Sequence, residues 1–262
     1  MRFPAVAGQF YPGSGAELGR QLDGMLHPEK EISCLGAVVP HAGYVYSGQV
    51  AAQVYSRLPR ADTYVIIGPN HHGLGLPVAL SRDSWKTPLG VVEPDLELAD
   101  LLSGSIIEYD ETAHRHEHSI EVQIPFLQKR FQGFKILPIC MGLQDEQTAL
   151  EVGQAISKAA LKLNRSCIVI ASSDFTHYEP QETARKVDAR LLEAILNMDA
   201  ASLYERVYRY HATACGYGPI AATIAASSNM GAKTGRLLAY ATSGDVSGDY
   251  SQVVGYAAVA FS

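Results

Sequence analysis

The stretch that decides the fold is TYVIIGPNHHG, which runs from residue 63 to residue 73. Its four apolar residues 64–67 are followed by a glycine, a proline and then two adjacent histidines. A short run that is apolar on both faces is typical of a strand buried between two layers of helices. The histidines therefore fall at the carboxyl end of a predicted strand, which is where open α/β sheets bind their ligands.

Similar runs recur along the chain, and helical patterns separate most of them. The other predicted strands are LGAVVP (35–40), FKILPICMG (134–142), SCIVIASSD (166–174), RLLAYATS (236–243) and VVGYAAVAF (253–261). The predicted helices cover 15–26, 48–58, 95–102, 119–131, 146–163, 182–196 and 200–210. With no linker-like stretch between them, we expect one α/β domain over residues 1–262, with a mainly parallel or mixed central sheet flanked by helices.

Amino-acid composition and net charge indicate which classes of partner are not expected. The 262 residues include 21 Lys and Arg against 27 Asp and Glu, a formal charge of −6, and no basic run is present. This balance predicts that nucleic acid is not a partner. No stretch approaches the ~20 apolar residues of a membrane span, and the beginning of the sequence lacks a signal-peptide pattern. We therefore expect a cytoplasmic protein with no membrane association.

The spacing of the four cysteines does not indicate a disulfide framework, since no pair follows a C-x-x-C pattern. Cys34, Cys140 and Cys167 lie in or beside apolar runs and are predicted to be buried small side chains. Cys215 precedes a helix of small residues. A helix dipole lowers the pKa of a cysteine at its N-terminus, so we expect a thiolate suited to metal ligation or nucleophilic attack.

Polar side chains follow three of the predicted strands directly. His41 comes after the first strand, and His71 and His72 come after the second. Asp174 ends the run at 166–174, and His177 follows it by three residues. Because the carboxyl ends of parallel strands meet at one edge of a sheet, we expect these groups to lie close together.

Two more segments bear on the site. In HRHEHSIEVQIPFL (114–127), His118 stands at the predicted start of a helix, where Glu121 would complement the dipole. His118 is therefore a site candidate, while His114 and His116 are expected to be exposed loop residues. Residues 74–92 contain the single tryptophan, Trp85, and predict a hairpin or wide loop; a structural role is favoured over that of a lid.

Seven motifs, in this order and nearly end to end, resemble those of the Memo family: AGQFYP, PHAGYVYSG, GPNHHG, EHSIEVQIPFL, SSDFTHY, ACGYGPI and SGDVSGDYSQVVGYAA. The resemblance implies a fold similar to the class III extradiol dioxygenases and a cleft with a metal site. It places the metal ligands at His41, His71 and Cys215, with Asp174, His177 and His118 as further cleft residues. His72 is expected to support the loop, because adjacent side chains of an extended backbone point in different directions.

This ligand set has a chemical meaning. Two imidazoles and a thiolate suit iron or copper, and zinc is compatible, with a coordination position left open. Asp174 and His177 would act as an acid/base pair or orient the ligands. The dioxygenases that share the fold complete their site with a carboxylate, whereas Cys215 stands here, so ring-opening chemistry does not carry over with the fold.

Three functions remain open from the sequence. The first is a metal-dependent oxidoreductase, dioxygenase-like, that acts with oxygen on a small substrate such as an aromatic compound. The second is a hydrolase or transferase with Cys215 as nucleophile, His177 or His211 as base and Asp174 as orienting group. The third is a protein that binds a metal or a peptide in the cleft without turnover, in keeping with the signalling roles of eukaryotic family members. The oligomeric state is not predicted.

Overall fold

The computed structural model describes residues 1–27 and 29–262. The strands are β1 (Gly36–Val39), β2 (Thr63–Pro69), β3 (Val78–Leu80), β4 (Trp85–Thr87), β5 (Gly90–Val92), β6 (Glu108–Tyr109), β7 (Lys135–Met141), β8 (Cys167–Ser172), β9 (His177–Glu179), β10 (Gly235–Thr242) and β11 (Val253–Phe261). The helices are α1 (Gly15–Asp23), α2 (Tyr44–Tyr55), α3 (Leu96–Leu101), α4 (Ile124–Arg130), α5 (Glu146–Leu163), α6 (Gln181–Leu196), α7 (Ala200–Arg209), α8 (Tyr217–Asn229) and α9 (Gly244–Ser247).

The central sheet is mixed. Its strands are ordered β10-β11-β1-β8-β2-β7-β3-β6, and β9 pairs with β11. The four middle strands β1, β8, β2 and β7 run parallel to one another. Strand β11 is antiparallel to β1, β10 and β9, and β3 is antiparallel to β7. The predicted α/β class, with a mainly parallel or mixed sheet between helices, is confirmed.

Each face of the sheet carries its own apolar core, because successive strand residues point to opposite sides. On β2, Tyr64 and Ile66 pack on the side of α1, α2 and α4. Val65 and Ile67 pack on the other side, against α3, α5, α6, α7 and α8. All four side chains have no solvent exposure. The continuous apolar run in the sequence is thus explained by burial on both faces.

Most of the predicted helices are found close to their predicted bounds, and local signals account for their ends. Helix α5 coincides with the prediction: the Asp145 side chain caps its first turn at Thr148 N, and Asn164, with a φ of 50°, ends it in the left-handed conformation. The helix predicted over 119–131 is wrong at its start. A single 3₁₀ turn at Glu121–Gln123 comes first, and the α-helix begins at Ile124.

The hairpin formed by β4 and β5 is a structural element. Trp85 has no solvent exposure, and its Nε1 donates a hydrogen bond to Ser81 Oγ at 3.0 Å. The buried ring anchors the hairpin to the core, which favours the structural role of this segment over that of a lid. The buried positions predicted for Cys34, Cys140 and Cys167 are also confirmed.

The strand order brings the candidate site together. Strands β1, β8 and β2 are neighbours and parallel, so the residues that follow Val39, Ser172 and Pro69 leave the sheet at the same edge. Helix α8 starts at this edge as well. A Cβ on Gly216 would lie 2.7 Å from Ser172 O and 2.7 Å from Ser173 Cβ, so the absence of a side chain allows the backbone of Cys215 to approach β8.

No helix within residues 1–27 and 29–262 combines the length and the apolar character needed to cross a membrane.

Candidate metal centre

Three potential ligand atoms converge at the carboxyl edge of the sheet. One atom each from His41, His71 and Cys215 lies within 4.8 Å of the other two. The Sγ of Cys215 is 3.2 Å from Nε2 of His41. The rings of His41 and His71 meet edge to face, with centroids 5.2 Å apart. Residues separated by up to 174 positions therefore form one compact donor set.

A buried hydrogen-bond network fixes the tautomer of His41. The Ser172 hydroxyl has one hydrogen, which it donates to the carbonyl of Ser119 at 2.6 Å. It accepts from Gln123 Nε2 at 2.8 Å, and His41 Nδ1 lies 3.0 Å away. Because the only serine hydrogen is already used, His41 Nδ1 must be the donor in this contact. The lone pair of the neutral ring is then on Nε2, which faces Cys215.

The amide orientation of Gln123 is fixed in the same way. Its Nε2 also donates to the Pro40 carbonyl at 2.9 Å, and its Oε1 accepts from the Tyr55 hydroxyl at 2.8 Å. A carbonyl only accepts, so the nitrogen cannot exchange places with the oxygen. Gln123 and Ser172 are both fully buried.

His71 is oriented by a carboxylate. Glu117 accepts hydrogen bonds from His71 Nδ1 at 2.9 Å and from His71 N at 2.7 Å, and also from the amides of His118 and Ser119. Although burial opposes ionisation, these contacts hold the pKa of Glu117 well below its usual range. The ionised carboxylate only accepts, so Nδ1 carries the proton and Nε2 is free to bind a metal, as in carboxylate–histidine–metal sites.

Cys215 differs from its prediction in one respect. It precedes α8 as expected, but burial and then the nearby Asp174 carboxylate raise the pKa of the thiol. Desolvation and a like charge outweigh the helix dipole. Without a metal the side chain is therefore a thiol, and a metal would have to displace its proton.

His118 lies against both predicted imidazole ligands. Its ring stacks on His71 with centroids 4.6 Å apart and meets His41 edge to face at 5.4 Å, and Phe10 covers it at 4.7 Å. Burial lowers the pKa of His118 to about 4, and burial together with the neighbouring imidazoles lowers that of His41 well below its usual value. Both rings are thus neutral at pH 7, which is the form that coordinates metals or accepts a proton.

Asp174 and His177 are close to the donor set, but they do not pair with each other as the sequence suggested. Asp174 accepts the backbone N–H of His41 at 2.7 Å, and burial raises its pKa to about 6. His177 places Nδ1 3.0 Å from the carbonyl of Thr213, so Nδ1 is the donor and the neutral ring has its lone pair on Nε2. His177 lies near enough to both Asp174 and His41 to affect the pKa of each.

The solvent exposure of the other histidines near the site differs in part from the prediction. His114 was expected to be exposed and is fully buried: Nε2 contacts the carbonyl of Ala79 at 3.1 Å beneath the ring of Trp85. The expectation is wrong because the hairpin covers this loop. His116 is exposed as expected, and His72, which was expected to support the loop, is exposed as well. His72 follows a turn in which the Asn70 side chain accepts the amides of residues 72 and 73.

A second group of potential ligands, formed by His71, Glu117 and His118, is explained without a metal. All four donors that meet the Glu117 carboxylate come from the protein, as described above. A metal there would have to replace hydrogen bonds that already satisfy the carboxylate. We therefore assign Glu117 to the support of His71.

The sequence analysis did not identify three residues of the site: Glu117, Ser172 and Gln123. Serine and glutamine are not typical metal ligands, Glu117 supports a histidine instead of standing at a strand end, and Gln123 lies on a short 3₁₀ turn far from the strand ends in sequence. The available signal was positional. Ser172 ends the strand that precedes Asp174, and Glu117 is adjacent to His118.

The arrangement fits a metal by the chemistry of its donors. Two imidazole nitrogens with fixed lone pairs and one sulfur are a set for iron, copper or zinc. The His71 side chain is 29% exposed, whereas His41 is only 2% exposed, so one side of the donor set faces solvent. A substrate or a further ligand would therefore reach these donors from the solvent side.

The fold and this site define a class: an α/β protein with a mixed sheet and a candidate metal centre of two histidines and one cysteine at the carboxyl edge of the strands. Residues 2–260 match the family model described as Memo-like protein. The chain belongs to the Memo family.

Relatives in archaea are similar over their whole length. MEMO1 family proteins of Methanosarcina barkeri and Archaeoglobus fulgidus are 57% and 51% identical, with 99% and 100% of this chain and 99% of each relative covered. One from Methanocaldococcus jannaschii is 49% identical over 98% of this chain and 97% of the relative. The crystal structure of an uncharacterized protein from Escherichia coli K12 has a similar fold, with a TM-score of 0.57, 11% identity, and 87% of this chain and 100% of that chain covered.

Proposed function

We propose that the protein binds a redox-active metal ion, iron or copper, through His41 Nε2, His71 Nε2 and Cys215 Sγ. We further propose that it uses this centre for dioxygenase-like oxidation of a small substrate. The observation that carries the proposal is the fixed direction of both imidazole lone pairs. Ser172 and Glu117 occupy the two Nδ1 atoms, so both Nε2 atoms are available for the metal. Such preorganisation is typical of metal-ligating histidines.

When bound, the metal would supply Lewis acidity and electron transfer. The chain's own residues have separate roles. The neutral ring of His118 is placed to accept a proton from a substrate bound at the donor set, and His177, whose Nδ1 is engaged by the Thr213 carbonyl, offers its Nε2 as a second group for proton transfer. Asp174 holds the backbone of His41 and, with a pKa of about 6, is poised to exchange a proton near neutral pH.

Two exposed tyrosines favour an aromatic substrate. Tyr46 and Tyr178 are 45% and 70% exposed, and both lie near enough to Tyr256 to affect its pKa, as does Asp174. Tyr178 also has a φ of 60°, which is rare for an aromatic residue. Exposed rings near the donor set would offer faces on which a flat substrate stacks. Of the other aromatic residues near the motifs, Tyr44 and Trp85 are buried packing residues.

The test is metal analysis of anaerobically purified protein beside three variants, His41→Ala, His71→Ala and Cys215→Ser. We expect one equivalent of iron or copper in the wild type and its loss in all three. Oxygen uptake with phenols and catechols then tests turnover. A wild type that takes up no metal from added iron, copper or zinc salts would overturn the proposed site. Metal binding without turnover across that screen would instead support a non-catalytic metal- or peptide-binding protein.

A hydrolase or transferase with Cys215 as nucleophile is the second candidate, since Cys215 Sγ lies 3.2 Å from an imidazole. That imidazole is His41, whereas the sequence suggested His177 or the exposed His211 as the base. The raised pKa of Cys215 and the lowered pKa of His41 both favour the neutral pair over thiolate and imidazolium. Iodoacetamide should label metal-free Cys215 faster than Cys34 if this candidate is correct.

A cytoplasmic location and a small-molecule or peptide ligand remain part of this proposal.

A further inference from the structure

We propose that Arg2, held by Glu121, is a positioning residue for the metal centre: it clamps the loop that carries Glu117 and thereby orients His71. The inference rests on the proposed metal site. It concerns a side chain that neither contacts the donor set nor belongs to the strands that carry it.

Arg2 joins both ends of the segment from residue 114 to residue 121. Its Nε donates to the carbonyl of His114 at 3.1 Å, its Nη2 donates to the carbonyl of Glu117 at 2.6 Å, and its Nη1 pairs with the carboxylate of Glu121. Arg2 is 6% exposed and Glu121 is fully buried. One guanidinium thus fixes three points of the loop at once.

The clamp is itself held in place from two sides. Glu121 also accepts hydrogen bonds from the amides of Ala5 and Val6, at 2.7 and 3.1 Å, and from the Tyr11 hydroxyl at 2.6 Å. The guanidinium carbon lies 4.3 Å from the centre of the Trp85 ring. Glu121 stands in the first turn of the helical segment at Glu121–Gln123, as expected from the sequence, and its carboxylate faces Arg2.

The route to the metal centre passes through one residue. Arg2 binds the backbone carbonyl of Glu117, and the Glu117 side chain binds both the amide and Nδ1 of His71. A shift of the Glu117 backbone therefore moves the carboxylate that holds His71. Arginine suits this task because its planar donors reach several acceptors in fixed directions, which a lysine ammonium does not do.

The experiment measures Zn²⁺ affinity, by competition with a chelator, in wild type, Arg2→Lys, Glu117→Gln and the double variant. Zn²⁺ avoids redox side reactions. Loss of a residue that supports a metal-ligating histidine costs about 10–100-fold in affinity. We expect about that loss in Glu117→Gln and about tenfold in Arg2→Lys. If Arg2 acts through Glu117, the double variant binds Zn²⁺ as weakly as Glu117→Gln alone.

A matched control comes from the other end of the sheet. Arg165 donates to the buried carboxylate of Asp95, which also accepts from the first residue of β2, Thr63. Arg165→Lys should lower the melting temperature without changing Zn²⁺ affinity. If Arg2→Lys does not fold, Tyr11→Phe serves in its place, because it removes one hydrogen bond of Glu121 and should weaken Zn²⁺ binding on the order of threefold.

The outcomes separate the two proposals. Wild type that binds no Zn²⁺, iron or copper overturns the metal site itself. Wild type that binds Zn²⁺, with unchanged affinity in Arg2→Lys or Tyr11→Phe, leaves the metal site standing and overturns the role of Arg2. Additive losses in the double variant would also overturn it, since they would show that Arg2 does not act through Glu117.

Discussion

Ser172→Ala is the substitution that most directly tests how His41 is prepared for a metal. It removes the fully buried Ser172 hydroxyl, and with it the hydrogen bonds to three groups: the Ser119 carbonyl, one N–H of Gln123 and Nδ1 of His41. A buried polar group that loses its partner costs about 1–3 kcal/mol. Three such groups at the lower end give a destabilisation of about 3 kcal/mol, a loss of roughly 6–12 °C in melting temperature for a domain of this size.

The same change acts on the metal. Without the Ser172 acceptor, the proton of His41 is no longer confined to Nδ1, so Nε2 presents a lone pair to the metal only part of the time. Loss of such a partner weakens metal binding by about 10–100-fold. Zn²⁺ affinity by chelator competition measures this loss, and ¹⁵N NMR of the imidazole reports which nitrogen carries the proton.

Ser157→Ala is the control. Ser157 is also buried, donates to the carbonyl of Gln154 at 3.0 Å and accepts from Asn229 at 3.2 Å, far from the donor set. It should lower the melting temperature while Zn²⁺ affinity stays at the wild-type value. The reasoning is refuted if Ser172→Ala binds Zn²⁺ as tightly as wild type, or if its metal-free His41 still keeps the proton wholly on Nδ1.

Three further outcomes are expected. Burial opposes ionisation of Asp95, but hydroxyl, amide and guanidinium donors around its carboxylate hold its pKa below the usual 3.8. Asp95→Asn should therefore destabilise the protein above about pH 4, and its difference in melting temperature from wild type should narrow as the pH falls further. A constant difference in melting temperature down to pH 2 would contradict this. Gly216→Ala places a methyl group 2.7 Å from the carbonyl oxygen of Ser172, so it should lower the free energy of unfolding by about 1–3 kcal/mol. It should also weaken Zn²⁺ binding, because the shifted backbone displaces the adjacent Cys215 thiol. Unchanged Zn²⁺ affinity would show that the backbone adapts without moving this thiol. His72→Ala should leave Zn²⁺ affinity within twofold of wild type, whereas His71→Ala should weaken it strongly. The reason is that His72 belongs to neither group of convergent ligand atoms in the part of the chain that the structure describes. Equal losses of affinity in both variants would contradict the assignment of His71 alone as a ligand.

The strands were predictable because their burial on both faces leaves a direct mark in the sequence. Runs such as residues 64–67 have no polar position, and this is possible only where helices cover both sides. The bounds of α5 were equally clear, since Asp145 and Asn164 are end signals that act within a turn. Where contacts are distant, prediction failed: His114 looks like part of a polar loop, and only the hairpin at Trp85 buries it.

The electrostatic state of the site was also beyond local reasoning. The position of Cys215 before α8 predicted a lowered pKa, but the pKa is raised by enclosure of the thiol and by Asp174, which is 41 residues away. Desolvation depends on every group that surrounds an atom, whereas the helix dipole depends on one neighbour along the chain.

The sequence by itself determined the α/β class, the family, and the strand ends at which His41, His71 and Asp174 leave the sheet. The class and the strand ends follow from periodicity and from the residue types within a few positions, and the family follows from the resemblance carried by the seven motifs. Only the tertiary structure decided which nitrogen of each imidazole is free, because Ser172, Gln123 and Glu117 come from other segments. A hydrogen bond requires its donor and acceptor within about 3 Å and in the right direction, and that proximity exists only after the chain has folded.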